Sequence, residues 1–443
     1  MTRRSIGIGS LITVAAAAAI ALGGLVGERA PEASAVAPDA AGDGAAQLLE
    51  GFAFGNTAAY VAELERRVDA DPDDVRSLTL LGLAYQQRAR ETGDLAFYER
   101  SARMLERALA REPRAYDAVT GLAALAASRH RFREALVLAR RAVGLSKTSA
   151  AAYGILGDAL VELGRYKQGF AAFDRMVALK PTAASYARVS YARELLGDTA
   201  GAVAAMELAA EAAEPSPEPV AWARTNLGNL HLQAGRIRAA TRLYQSALAR
   251  FPRYAPALAG IARAATYRSR AEEAARLYGA ALQAAPVPEY AVGLGDALAA
   301  AGRADEAARA WAEADELERE FARHGGRNEL ERALFDLDHD RDLRGALDVA
   351  REGWRKRPSI ESEHVLAWAL YKNGRCREAR AHSIRALRLG TRDVGALLHR
   401  SLIERCRGNE REAAAFRARA FAYNPYASSE IGSPAQGAQP AQF

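Results

Sequence analysis

The chain is 443 residues long, half of them hydrophobic and 26% charged, with a formal net charge of +6. Arginine supplies nearly all of the positive charge. By length alone about three domains would be expected. The arginines are interspersed with Glu and Asp, as on a solvated, ion-paired surface, and the clustered basic stripe with interleaved aromatics that nucleic acid demands is missing from the sequence.

Thr2, Arg3 and Arg4 precede an uncharged run, Ser5 to Gly27, rich in Ala, Ile, Leu and Val. About 20 apolar residues span a bilayer, and arginines ahead of them stay on the cytoplasmic side. Residues 1–27 therefore read as a signal anchor or a signal peptide that sends the rest of the chain outward. Ala33-Ser34-Ala35 matches a signal-peptidase site. Cleavage after Ala35 would secrete the protein, and an uncut run would hold it to the membrane by a single pass. The length of the run, and Glu28 and Arg29 between it and the triplet, favour the anchor. The remainder of a twin-arginine motif is missing, and no cysteine follows the run to carry a lipid. Residues 28–55, with Pro31, Pro38, Asp39, Gly42 and Gly44 among many alanines, read as a flexible linker.

Helical periodicity then begins. Tyr60, Leu64 and Val68 lie four apart and Pro72 closes a half-unit; a full hairpin follows from Asp73 to Pro113, with an insertion at Arg88 to Asp94 that lengthens its turn. The cleanest unit is Ala221 to Tyr254: Leu227, Gly228 and His231 share one helical face, Ala240, Tyr244 and Ala247 another, Gly235 separates them and Pro252 ends the second. With Gly228 as marker, equivalents fall at Ala123, Gly157, Ser190, Ala262, Gly295, Leu334, Ala367 and Ser401, with Gly82 an earlier copy. Twelve residues after each marker from Ala123 onward stands Ala or Gly, and four later the side chain is often large, as in Phe173, Met206, Tyr244, Tyr278 and Trp311. Prolines 113, 181, 252, 286, 358 and 425 close second helices. One such hairpin cannot hide its apolar face alone, so neighbours must stack. Two stretches break the beat. Glu214-Pro215-Ser216-Pro217-Glu218-Pro219 reads as a helix-free loop that lets two halves adjust, and the helix after Ala314 runs on to about His324 before Gly325 and Gly326 stop it. Residues 427–443 read as a disordered tail.

This pattern of small, small, aromatic, small and proline resembles the tetratricopeptide repeat family over residues 56–426. The resemblance implies an all-α solenoid of about ten helical hairpins wound into a right-handed superhelix. It departs at Leu334, which replaces a small residue, and at Lys147 and Thr391, where closing prolines are lacking.

In that family the first helix of each hairpin lines the concave groove. Carried over by register, the groove residues are Tyr191, Trp222, Thr225, Asn226, Asn229, Arg263, Asp296, Phe335, His364, Trp368 and Tyr371. Asn226 and Asn229 resemble the amides that grip an extended peptide. A carboxylate clamp would need several cations and only Arg263 is well placed. The stripe His364, Trp368, Tyr371 is either an aromatic anchor or packing against the next helix. Asp336 to Asp342 imitates a calcium loop, but Arg341 stands where glycine is needed and Leu347 where a bidentate Glu should be, so it reads as an acidic turn. The seven histidines show no metal-ligand spacing, and His231 takes a core position. No metal site, cofactor or catalytic motif is visible. Cys376 and Cys406 fall on one edge of the solenoid and could pair in an oxidising compartment, or remain two buried thiols. These features imply a non-catalytic scaffold of the cell envelope for protein or peptide partners, without nucleic acid. The alternative is an envelope enzyme, or an accessory subunit of an enzyme or transport complex, with its site in the groove.

Overall fold

The computed structural model describes residues 57–214 and 217–427. The stretches expected to be an export segment, a linker and, beyond Ala427, a tail lie outside them. Twenty-one α-helices fill the described residues. A single helix, α1 (Thr57–Ala70), precedes ten antiparallel hairpins. The first five are α2 (Val75–Thr92) with α3 (Ala96–Arg111), α4 (Tyr116–Ser128) with α5 (Phe132–Leu145), α6 (Ala150–Glu162) with α7 (Tyr166–Leu179), α8 (Ala183–Leu195) with α9 (Thr199–Ala212), and α10 (Pro217–Gln233) with α11 (Ile237–Arg250). The second five are α12 (Ala255–Tyr267) with α13 (Ala271–Ala284), α14 (Pro288–Ala300) with α15 (Ala304–Arg323), α16 (Glu329–Asp338) with α17 (Leu343–Lys356), α18 (Ile360–Lys372) with α19 (Cys376–Ala386), and α20 (Val394–Cys406) with α21 (Glu410–Tyr423). The periodicity thus overrides the three-domain expectation, and the described residues form one all-α solenoid.

Several hairpins are set by a volume exchange between the marker and the residue sixteen positions on. Gly157 faces Phe173, Gly228 faces Tyr244 and Gly295 faces Trp311, and in each case a Cβ on the glycine would collide with the ring. Phe173 and Tyr244 are almost fully buried, so neither ring has room to retreat. Where the marker is serine, the two backbones are near enough for its hydroxyl to reach across: Ser190 Oγ donates to the Ala202 carbonyl, and Ser401 Oγ to the Ala413 carbonyl, both at 2.7 Å. Leu334, the apparent exception, obeys the same rule inverted, because its partner sixteen residues on is Ala350 and both are buried in one cluster. Large and small have changed helices while their sum is kept, as close packing demands.

Two readings of the connections are corrected. The proline-rich stretch does not stay out of helix: α10 starts at Pro217 and takes in Pro219. First-turn N–H groups have no intrahelical acceptor, so proline costs little there. Glu214 just before it is held by Arg224 at 2.9 Å and Arg250 at 3.0 Å. The insertion near Arg88 lengthens helix α2 to 18 residues instead of lengthening the turn, and Gly93 caps it in the left-handed conformation. The long helix α15 ends at Arg323, where the sequence places its stop.

The hairpins wind tightly enough to meet themselves. The turn of hairpin one, at Gly93, abuts Pro286 in the connector after hairpin six. His130 in the second turn bonds the Arg327 carbonyl at 2.9 Å, 197 residues on. Next to the third turn, the Tyr166 hydroxyl accepts from the Ile360 N–H at 2.7 Å, 194 residues on. Gly197 meets Gly390, and Gly235 meets Pro425. One superhelical turn is therefore completed in little more than five hairpins, and successive turns touch along a seam. Gly164 shows how close the contact is: its φ is 72°, and a Cβ there would strike the carbonyl oxygen of Pro358. Arg357 is the seam's largest polar anchor. It reaches Glu162 at 3.3 Å across the seam and Glu361 at 3.2 Å in its own turn, and lies over the Phe132 ring at 5.4 Å.

The volume exchange predicts a compensated pair of variants. Gly157→Ala should lower stability by about 1–3 kcal/mol through overpacking, read as a lower urea midpoint, and adding Phe173→Leu should restore part of the loss. If the double variant is no more stable than Gly157→Ala alone, the exchange does not set the hairpin.

Candidate functional site

Because residues three apart share a helical face, two rows on the first helices point the same way: the residues six and three before each marker. The first row contains Ala184, Trp222, Pro256, Glu289 and Asn328, and the second contains Ala187, Val292 and Glu331. All eight line a single cavity of about 320 Å³ inside the superhelix. Its opposite wall is the turn of the first hairpin, from Ala89 to Tyr98. Ligand cavities in proteins run from about 300 to 1,000 Å³, so this one admits a few side chains and no folded domain. The same rows continue upward, where Glu361 and His364 line a second cavity of about 70 Å³ together with Tyr191 and Glu194.

The lower cavity is rich in aromatic rings and carboxylates. Trp222, Tyr254, Tyr290 and Phe335 contribute rings, and Glu218, Glu289, Glu318 and Glu331 contribute acids. Glu218 faces Arg90, whose charge opposes the rise that burial imposes on it. Burial pushes the Glu289 carboxyl up to about 7, opposed by its own backbone N–H and by the charge of Arg263. Burial pushes Glu318 up to about 8, against one hydrogen bond from Asn328 Nδ2 at 3.0 Å. Glu331 is 8% exposed, its Oε1 accepts no hydrogen bond, and Arg357 stands 3.9 Å away while bound to two other acids. His130 beside them is driven down to about 4, first by burial and then by Arg357, and so is neutral. Among the described residues no group of three or more His, Cys, Asp or Glu is arranged to hold a metal ion.

The residues expected in the groove divide into two sets. Trp222 and Phe335 line the lower cavity, Tyr191 and His364 the upper one. Asn229, Arg263, Asp296 and Trp368 link neighbouring helices and hairpins. Asn229 Oδ1 accepts from Tyr244 at 2.9 Å and from Arg263 of the next hairpin at 2.6 Å. Asp296 accepts from Trp311 at 3.1 Å and bonds His339 at 2.7 Å. Asn226 donates to the Trp222 carbonyl of its own helix, and Thr225 is buried. Trp368 is sandwiched: His399 stacks on it with centroids 3.6 Å apart, Tyr371 lies on it at 5.0 Å, and its N–H donates to Asp338 at 2.8 Å. His364 bonds His399 at 2.9 Å. The position directly after the marker thus fastens hairpin to hairpin, as Asp158 also does by a bidentate pair with buried Arg188 at 3.0 and 2.7 Å.

Sequence reasoning missed Glu289, Glu318 and Glu331. Glu289 and Glu331 lie in the first turns of α14 and α16, where an acid ordinarily complements the helix dipole. The available signal was their register, six and three before the marker. His231, expected in the core, is half-buried and accepts from Arg236 at 2.7 Å. In the acidic stretch near α16, Asp342 caps α17 through the Gly345 N–H at 3.1 Å and Arg341 pairs with Asp315 at 2.7 Å. The two cysteines face each other across hairpins nine and ten, Cα atoms 6.2 Å apart, joined as a disulfide.

A family model of tetratricopeptide repeats matches residues 125–184, 225–266 and 260–317. Among solved structures the chain is similar to PilW, a widely conserved type IV pilus biogenesis factor, at 18% identity over 44% of this chain and 90% of that one, TM-score 0.38. It is similar to TTC0263, a thermophilic TPR protein in Thermus thermophilus, at 26% identity over 42% of this chain and 98% of that one, TM-score 0.36. Yeast Tom70 matches at 12% identity over 83% and 89%, TM-score 0.40. No curated protein matches.

The raised carboxylates give stability a slope in pH. An unfolded glutamate releases its proton near pH 4.3, whereas folded Glu289 and Glu318 keep theirs to about 7 and about 8. The folded chain therefore holds the extra protons, and stability falls as pH rises through those values. His130 acts only below about pH 6.5, where lowering the pH favours unfolding. Melting followed by circular dichroism should show a midpoint that drops from pH 6.5 to 8.5, with a shallower drop in Glu289→Gln/Glu318→Gln. An identical slope in both proteins would mean these two acids are solvated.

Proposed function

Because this chain is a tetratricopeptide repeat protein, we propose that it is a non-catalytic scaffold of the cell envelope that holds an extended segment of a protein partner inside its superhelix. Solenoids of stacked hairpins present extended concave surfaces to their partners. The observation that carries the reading is the cavity of about 320 Å³, into which two rows of side chains from successive first helices converge. Its size suits a few side chains of an extended chain, and its lining of rings with a small number of acids suits recognition.

Export rests on two features. Arg3 and Arg4 ahead of the apolar run from Ser5 to Gly27 have the charge order of a segment that delivers its C-terminal side outward. Cys376 and Cys406 stand at disulfide distance, which suits an oxidising compartment. Among the described residues no helix is long and apolar enough to cross a membrane.

The second reading, an enzyme or an accessory subunit of an enzyme or transport complex, draws on the raised acids Glu289 and Glu318, since shifted groups collect at reactive sites. It requires that the acids touch a reacting substrate.

Photo-crosslinking in intact cells tests the scaffold. A crosslinking residue in place of Trp222 should capture a discrete partner, and one in place of Val137, which is 66% exposed on the outer surface, should not. Equal capture from both positions would remove the lumen from the account. The captured species should fractionate with the envelope, and mass spectrometry without reductant should find the chain lighter by two hydrogens. Recovery in the cytosol with both thiols free would overturn the envelope assignment.

A further inference from the structure

We propose that the lower cavity receives a cationic side chain, arginine before lysine, carried by the bound segment. This rests on the peptide-holding reading above and gives it a chemistry.

Three helices in succession deliver three acids to one wall: Glu289 from α14, Glu318 from α15 and Glu331 from α16. None has a cation hydrogen-bonded to it. The Glu289 carboxylate bonds its own backbone N–H, and Arg263, itself bonded to Asn229, acts on it only through its charge. Glu318 has the Asn328 amide. Glu331, nine-tenths buried, leaves Oε1 without a hydrogen bond, and its nearest guanidinium, Arg357, is engaged by Glu162 and Glu361. Carboxylates withdrawn from water without a counter-charge are costly, and these respond by holding their protons, as the upward displacement of Glu289 and Glu318 shows. A guanidinium placed between them would supply five donors to acids that now lack them.

The rest of the wall suits the stem of the same side chain. Trp222, Tyr290 and Phe335 border the acids, and aromatic faces accept both a methylene stem and a cation. Of the cavity's arginines, Arg90 faces Glu218, Arg253 is exposed, and Arg332 is exposed and 3.9 Å from Asp336, acting on Glu318 only through its charge. The cavity is too small for a folded partner and large enough for one long side chain with its backbone at the rim.

The full chain should be titrated with four degenerate decapeptide mixtures, identical except for a fixed central residue: arginine, lysine, leucine or glutamate. The arginine mixture should bind most tightly, on the order of tenfold better than leucine or glutamate, the size of one charge-assisted hydrogen bond. Glu289→Gln should reduce the preference for arginine over leucine, with the circular dichroism spectrum and melting midpoint recorded alongside to show that the variant is folded. Glu289→Gln/Glu318→Gln should do the same more completely. If leucine binds as well as arginine, the cationic occupant is wrong and the scaffold stands. If no mixture binds, the scaffold reading itself fails. If free spermidine binds as tightly as the arginine mixture, the occupant is a small polyamine and the peptide-borne cation is overturned.

Discussion

Everything in this structure depends on how closely two helix backbones approach at one point in each hairpin. A glycine, alanine or serine on the first helix lets the second come near, and in several hairpins a large residue sixteen positions on fills the space that remains. Hairpins of one thickness then stack with one offset, and a constant offset repeated ten times is a superhelix. Gly157 with Phe173, Gly228 with Tyr244, and Leu334 with Ala350 are three solutions to one volume. The polar links that follow each marker, such as Asn229 with Arg263 and Asp296 with His339, lock the offset between neighbours. Buried polar pairs of this kind specify geometry more than they add stability.

The tight winding turns a groove into a lumen. In an open solenoid the inner face of every first helix is available to a partner. Here the seam brings the turn of the first hairpin over the first helices of the fourth to eighth, and the concave face becomes a closed wall around two cavities. Acids that would be solvated on an open surface lose water, which is why their protons are held so firmly. The same burial neutralises His130, whose ring sits between the turns. Recognition and architecture are thus one problem: the winding number decides which side chains face the interior.

That division explains what could be read from residues alone. The repeat, its phase and its departures are local, encoded every 33 to 39 residues by marker, small residue and proline, and they yield the hairpins with their ends nearly right. Register with the open form of the fold assigns Asn229, Arg263 and Trp368 to a ligand, but the structure engages them with neighbouring helices. Which row faces inward depends on how far each hairpin rotates relative to the last, a sum of small packing terms that no single residue announces. Glu289 illustrates the limit, since an acid in a first helical turn has an ordinary local explanation. Pro217 illustrates the converse, because a residue that forbids a helix interior is welcome at its first turn.

The seam also changes what kind of polymer this is. Stacked repeats ordinarily behave as a one-dimensional chain in which each unit feels only its neighbours and the ends fray freely. The bond between Tyr166 and Ile360 ties residues 194 apart, adding a closure whose entropy must be met after the local hairpins exist. Such long-range contacts slow folding relative to a purely local assembly. They also convert a spring into a coil with its windings fastened, so strain applied at one end is shared with a hairpin five places away instead of being absorbed by the next.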